Sequence, residues 1–257
     1  MSQYDQIARY YDQVHAELVE DIPLLLALAR EAEGPVLELG CGTGRVLLPL
    51  LKGGATVSGI DSSQDMLKLA RQKIEALDHE TRNRVTLHAV DMTDFELSQH
   101  FGLALAAYNS FLHLNPAQMA RSLAATRRHL QPGGRLFLDL PNPMDLAATP
   151  EDNTVTLESS FLDSESGDLV LQFAANRLFL AEQRLEITWL YDRSPVGGGP
   201  VDRLVSQFDY HYLYPHEIEM MLEGAGFRLE ALYGDYDQAS FREDSARLLV
   251  LAVKPRE

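Results

Sequence analysis

Along the first half of the chain, short apolar runs alternate with longer segments whose apolar positions recur every three to four residues. The runs at 35–40, 55–61, 85–90, 103–108 and 134–140 predict strands, and the segments between them predict helices. One helix opens at Ser62, with Asp65 three residues on as a capping-box-like partner. It runs through Met66, Leu67, Leu69, Ala70, Ile74 and Leu77. Another opens at Pro116 and runs to Leu130, where Pro132-Gly133-Gly134 turns the chain. Strands separated by helices predict a parallel sheet with right-handed crossovers, an α/β fold.

The pattern changes after Pro150. Segments 155–162, 169–180, 185–191 and 205–212 are rich in β-branched, aromatic and alternating residues, with turn signals and no helical period between them. They predict an antiparallel meander. The α/β alternation resumes at Pro215, with a helix to 224 and strands at 227–233 and 246–253. The chain therefore divides into one domain made of 1–150 and 213–257 and an inserted β meander at 151–212.

Between the first strand and the helix after it lies Glu38-Leu39-Gly40-Cys41-Gly42-Thr43-Gly44. Glycine at every second position lets a backbone turn sharply and approach a ligand with no side chain in the way. Asp61 ends the next strand, 21 positions past Gly40. An acid at about that spacing is where α/β nucleotide sites hold a ribose. A dinucleotide fingerprint would need glycine at position 45, where Arg45 stands. Asp91-Met92 and Asn109-Ser110 supply polar groups at the next two strand tips.

Composition narrows the partners. A chain of 257 residues, 46% hydrophobic and 23% charged, is long enough for one large domain with an insertion. A net charge of −16 argues against a nucleic-acid partner, since phosphate binding needs a basic surface. Arg121, Arg127, Arg128 and His129 read instead as cations near a helix C-terminus. No apolar stretch reaches the roughly 20 residues of a membrane helix. The opening Met1-Ser2-Gln3-Tyr4-Asp5 lacks the profile of a signal peptide, so a cytoplasmic location is expected. The single cysteine, Cys41, forms no intramolecular disulfide and reads as a small packing residue. No metal is expected.

The Glu-x-Gly-x-Gly-x-Gly run, with Asp61 and Asp91, resembles the cofactor site of the class I S-adenosylmethionine-dependent methyltransferases. The resemblance covers most of the chain. It implies a three-layer, Rossmann-like, seven-stranded and mostly parallel sheet. Gly40, Gly42 and Gly44 would pass beneath the methionine and ribose of the cofactor, and Glu38 would hold the loop or the ammonium group through solvent. Asp61, with Ser62 beside it, would take the ribose hydroxyls, and Met66 would pack on adenine. Asp91 would accept from the adenine amine, Met92 would give a backbone N–H, and Asn109 would meet the methionine end. Gly102 departs from the acid often found at its position. The opening Tyr4-Asp5 to Tyr11-Asp12 is similar to that of bacterial small-molecule N- and O-methyltransferases, which carry a β insertion over the active site. That similarity puts Tyr11 near the cofactor's carboxylate and sulfonium, so Tyr11 counts with both the cofactor and the catalytic set. The alternative for this helix is simple packing of Ile7, Tyr10 and Val14 on the core.

Methyl transfer mostly requires alignment and exclusion of water, and a base only where the acceptor loses a proton. His113, just past the fourth strand, and His211, in the insertion, are the candidates. The insertion's Phe173, Arg177, Trp189, Tyr191, Arg203, Tyr210, Tyr212 and Tyr214 form either a substrate wall or a core and dimer surface. The expected activity is transfer of a methyl group from S-adenosylmethionine to nitrogen or oxygen of a small molecule, leaving S-adenosylhomocysteine. Its rivals are a non-catalytic S-adenosylmethionine-binding protein and an NAD(P)-dependent oxidoreductase. The Asn/Asp-Pro-Pro-Tyr motif of amino-methylating nucleic-acid enzymes is absent, with Asn109-Ser110-Phe111-Leu112 in its place.

Overall fold

A computed structural model describes residues 4–150 and 154–256. The boundary placed at 150/151 falls against residues outside this range, as do the first three residues of the opening. In chain order the elements are α1 (Ala8–Val14), α2 (Ile22–Glu31), β1 (Val36–Leu39), α3 (Leu47–Lys52), β2 (Val57–Asp61), α4 (Gln64–Glu75) and α5 (His79–Arg82). Then come β3 (Val85–Ala89), β4 (Phe101–Ala106), α6 (Pro116–His129), β5 (Leu130–Pro141) and α7 (Pro143–Ala147). The inserted strands are β6 (Val155–Leu162), β7 (Leu169–Phe179), β8 (Arg184–Ser194) and β9 (Asp202–His211). The chain closes with α8 (Pro215–Gly224), β10 (Arg228–Tyr233) and β11 (Arg247–Val253).

Seven strands form one sheet in the order β10-β11-β5-β4-β1-β2-β3, and β6 to β9 form a second, four-stranded sheet. Strands β1 to β5 are mutually parallel, whereas β11 runs antiparallel to both β5 and β10. The central strands β1 and β4 are buried along their whole length, as expected where helices cover both faces. Leu37 and Leu39 pack towards Met119, Leu123, Ile218 and Leu222 of α6 and α8. Val36, Leu103 and Leu105 pack the other way, on Leu25, Leu28, Leu47 and Leu51 of α2 and α3. The α/β fold with its antiparallel insertion is as the residue pattern predicts.

Two local details differ. The cap of α4 is Ser63, whose hydroxyl accepts the Met66 N–H at 3.2 Å, because Asp61 binds the Ser63 N–H and starts the helix one residue later than Ser62. The Pro132-Gly134 stretch lies inside β5, where it bulges and the register with β4 jumps from Leu130 to Arg135. The α6 start is a full capping box between Asn115 and Gln118.

Residues 4–21 are strapped across the α/β core by carboxylates. The Asp5 carboxylate accepts the Ser63 hydroxyl, and Asp12 accepts the Thr43 hydroxyl and pairs with Lys73, all at 2.6 Å. Fully buried Asp21 takes both terminal nitrogens of Arg45 at 2.8 and 2.6 Å, and Arg45 also donates to the Leu18 carbonyl. The residue that breaks the dinucleotide spacing thus ties the strap to the glycine loop. Ile7, the residue before α1, and Tyr10 of α1 pack against Val170, Tyr191 and Phe208 of the insertion, with Val14 at the margin. Helix α1 therefore bridges the two sheets and does not pack into the α/β core. No helix among the described residues is long and apolar enough to cross a membrane.

Asp21→Ala leaves the Arg45 guanidinium mostly buried without its partner and is expected to destabilise the fold by about 3 kcal/mol. Urea unfolding reads this as a lower midpoint at unchanged slope, and an unchanged midpoint would show that the strap contributes no stability.

Candidate active site

A cleft with about 940 Å³ of empty space, counting the part open to solvent, lies beyond the C-terminal ends of β1, β2 and β4. Strand order reverses between β1 and β4, the place where open α/β sheets bind ligands. Its floor is the glycine loop. Gly42 has φ +53°, and a Cβ built there would meet nothing within 4 Å. Gly40, at φ +69°, could carry a Cβ only at 3.1 Å from Met92 and Ser110. Left-handed backbone and the absence of side chains leave the peptide groups bare to a ligand. Cys41 is buried beneath, over the notch left by Gly59, and burial pushes its thiol well above the usual range. It is a packing residue and no nucleophile.

Asp61 stands at the tip of β2. Its two oxygens accept the N–H groups of Gly42 at 2.8 Å and Ser63 at 2.7 Å. Each oxygen keeps a second lone pair for a ligand. Burial raises its pKa, opposed by those two hydrogen bonds. Ile60, Ser62 and Met66 continue this wall, and Asp91 and Met92 close its far end, the Asp91 carboxylate accepting the Thr93 N–H at 2.7 Å.

The opposite end is aromatic. Tyr4 and Tyr11 come from the N-terminal strap, and Tyr108, Ser110 and His113 from the chain after β4. The Tyr4 hydroxyl lies 2.8 Å from His113 Nε2. Burial pushes His113 down to about 4 and the Tyr4 phenol well up, so both are neutral near pH 7. The phenol then donates to Nε2, which places the imidazole proton on Nδ1. The rings of Tyr4, Phe208 and Tyr210 stand around His113, 4.9 to 5.6 Å away.

Nine of the residues singled out from the sequence line this cleft: Tyr11, Gly40, Gly42, Asp61, Ser62, Met66, Asp91, Met92 and His113. Four do not. Gly44 lies under the loop beside Leu48 and Ala70. Asn109 turns its side-chain oxygen to Arg247, because its own backbone is left-handed, at φ +67°. His211 alternates with Tyr210 along β9, so it takes the face of Asp209 and Arg184 while Tyr210 takes the face of His113. Glu38 is buried behind the loop, and its Oε2 has no hydrogen-bond partner among the described residues. Burial raises Glu38 to about 8, with Arg45 lowering it and Asp21 and Asp61 raising it. Tyr4, Ile60, Tyr108, Leu114 and the strand-tip Ser110 also line the cleft, though the sequence alone assigns none of them a role. Of these, Tyr4 stood in the opening motif, and Tyr108 and Ser110 flank Asn109. Among the insertion's aromatics, Tyr210 reaches His113, whereas Trp189 and Tyr191 pack within the insertion and on α1. Arg203 is held by Asp192 and Arg177 lies over Phe179, so neither faces the cleft.

Residues 36–134 match a family described as a methyltransferase domain. The chain is 24% identical over 259 residues to the putative methyltransferase YqeM of Bacillus subtilis, covering 98% of each. It is 31% identical over 142 residues to the dTDP-3-amino-3,6-dideoxy-alpha-D-glucopyranose N,N-dimethyltransferase of Streptomyces fradiae, about half (52%) of each chain. Among solved structures, the CcbJ methyltransferase of Streptomyces caelestis superposes with a TM-score of 0.74 at 27% identity, over 91% of this chain and 93% of the other.

Glu38 gives the site a pH signature. Between about pH 5 and pH 8 the unfolded chain has lost the Glu38 proton while the fold retains it, so stability falls as pH rises. Glu38→Gln, which cannot ionise, is expected to flatten that decline, with the melting temperature of the variant gaining on wild type towards pH 8. Parallel profiles for the two proteins would mean that Glu38 is ionised in the fold.

Proposed function

We propose that this chain is a class I S-adenosylmethionine-dependent methyltransferase whose acceptor is the amine of a small molecule held beside Tyr4, Tyr108 and His113. The observation that carries this reading is the neutral Tyr4–His113 pair at the aromatic end of the cleft. Relatives that name an N,N-dimethylated amino sugar support the amine. The net charge of −16 supports a small molecule over a nucleic acid. Residues 1–150 with 213–257 are read as the catalytic unit and the meander as its cover.

The residues present fit the cofactor. At Gly42 there is open space where a side chain would stand, and Glu38 Oε2 is a buried acceptor with no partner among the described residues. Asp61 would hold the ribose hydroxyls through its remaining lone pairs, and Asp91 the adenine amine, with Met66 packed on the base and Met92 giving it a backbone N–H. Gly40 and Gly42 would present their backbone to the methionine half, with Tyr11 across from them. Glu38 would answer the ammonium group through solvent. Bound S-adenosylmethionine supplies an electrophilic methyl group and leaves as S-adenosylhomocysteine.

The protein's own task is alignment, dryness and proton control. An amine attacks through its lone pair, so no negative nucleophile has to be generated. Aromatic walls keep water out and stabilise positive charge near the methyl group. A proton shed by the acceptor can pass to the Tyr4 oxygen as Tyr4 gives its own to His113 Nε2. His113 keeps that capacity at neutral pH because burial holds it unprotonated down to about pH 4.

Transfer of a labelled methyl group to a panel of small amines, amino sugars included, tests the acceptor. Transfer to hydroxyl compounds alone would replace the amine. Asp61→Ala is expected to weaken S-adenosylhomocysteine binding by about 1.5–3 kcal/mol, the range for hydrogen bonds to a charged group, and calorimetry showing unchanged affinity would place the ribose elsewhere. His113→Ala should slow turnover about a hundredfold at unchanged S-adenosylhomocysteine affinity; wild-type turnover would remove it from proton transfer.

A further inference from the structure

Two consecutive residues after β4 hold left-handed backbone, Tyr108 at φ +40° and Asn109 at φ +67°. Side-chain-bearing residues keep such conformations only where their surroundings enforce them. Here the enforcing groups come from distant parts of the chain. Fully buried Asp139, on β5, accepts the Tyr108 N–H at 3.1 Å and the Tyr236 hydroxyl at 3.0 Å on Oδ2. Its backbone carbonyl accepts the Asn109 N–H at 2.9 Å. Arg247, on β11, donates to Asp139 Oδ1 through Nε at 3.0 Å and reaches Asn109 Oδ1 with a terminal nitrogen at 2.8 Å. The guanidinium groups of Arg247 and Arg45 stand 5.2 and 5.6 Å from the centre of the Tyr108 ring. The Asn109 carbonyl accepts the Leu112 N–H at 2.9 Å, which fixes the turn that carries His113, whose ring packs 4.9 Å from that of Tyr210.

Fixed contacts therefore run from β5 and β11 to the aromatic end of the cleft through Asp139, Arg247, Asn109 and the turn to His113. Only His113 of these lines the cleft, together with Tyr108. The hydrogen bonds that hold Asp61 and Asp91 come from Gly42, Ser63 and Thr93, and touch none of this chain of contacts. We propose that Arg247 and Asn109 are positioning residues that set the acceptor-side wall of the cleft, independently of the half that holds adenosine. The assignment rests on the methyltransferase reading above.

Calorimetric titration of wild type, Asn109→Gly and Arg247→Lys with two probes tests it. The probes are S-adenosylhomocysteine and sinefungin, an analogue that carries an amine in place of the transferred methyl group. Glycine adopts a positive φ freely, so Asn109→Gly keeps the backbone and removes only the side-chain ties. Lysine keeps a charge against Asp139 but has no second nitrogen for Asn109. In both variants the Kd for S-adenosylhomocysteine should stay within about twofold of wild type, while the ratio of the two Kd values shifts by about tenfold. The melting temperature of Asn109→Gly should not fall. An unchanged ratio overturns the assignment, as does equal weakening of both probes together with a lower melting temperature, which marks a purely structural role. Wild type that binds neither probe would overturn the methyltransferase reading and this assignment with it.

Discussion

Two backbone N–H groups converge on the Asp61 carboxylate, one from Gly42 and one from Ser63. That convergence fixes the left-handed turn after β1 and the start of α4 at once, and it joins them through the tip of β2. A loop with three glycines at positive φ has many conformations open to it in the unfolded chain, so a specific tie is needed to select one. Asp61 supplies it while keeping lone pairs turned to the cleft. The group that organises the loop is also the group best placed to bind a polar ligand there.

The rest of the site is assembled outward from this loop by two acids of the N-terminal strap, Asp12 and the buried Asp21. Asp12 reaches it through Thr43 and Lys73, and Asp21 through Arg45, so the N-terminal strap is held by charges whose partners lie in or beside the loop. With the strap in place, Tyr4 and Tyr11 face the cleft on one side of α1 while Ile7 and Tyr10 meet the insertion on the other. The net charge of −16 does not mean that every carboxylate is a solvated surface group. Asp21, Glu38 and Asp139 are all buried, the first and last against arginines and Glu38 with its Oε2 unpartnered among the described residues.

Asymmetry between the cleft's two ends matches a division of labour. The end formed by the glycine loop, Asp61 and Asp91 is built from backbone and carboxylates, suited to hydroxyls and amines at fixed positions. The other end is built from neutral rings, suited to a dry reaction near a positive charge. Burial keeps His113 unprotonated and Tyr4 protonated there, so this end carries hydrogen-bonding capacity with little net charge.

The local sequence was enough to predict the strands and helices, the antiparallel insertion, and the glycine-loop, Asp61 and Asp91 end of the cleft. Each rests on short-range physics: apolar period, glycine spacing, and acids at the tips of strands that must lie side by side in a parallel sheet. Gly40, Gly42, Asp61 and Asp91 are legible for that reason. Tertiary structure alone decided what lay across the cleft. Tyr4 and His113 are 109 positions apart, and Arg247 meets Asn109 across 138. No local pattern records such pairings. It also decided that Asn109 and His211 turn away, through a left-handed backbone in one case and the alternation of a strand in the other. Glu38 was legible as a loop residue, but its raised pKa follows from burial, which depends on the packed whole.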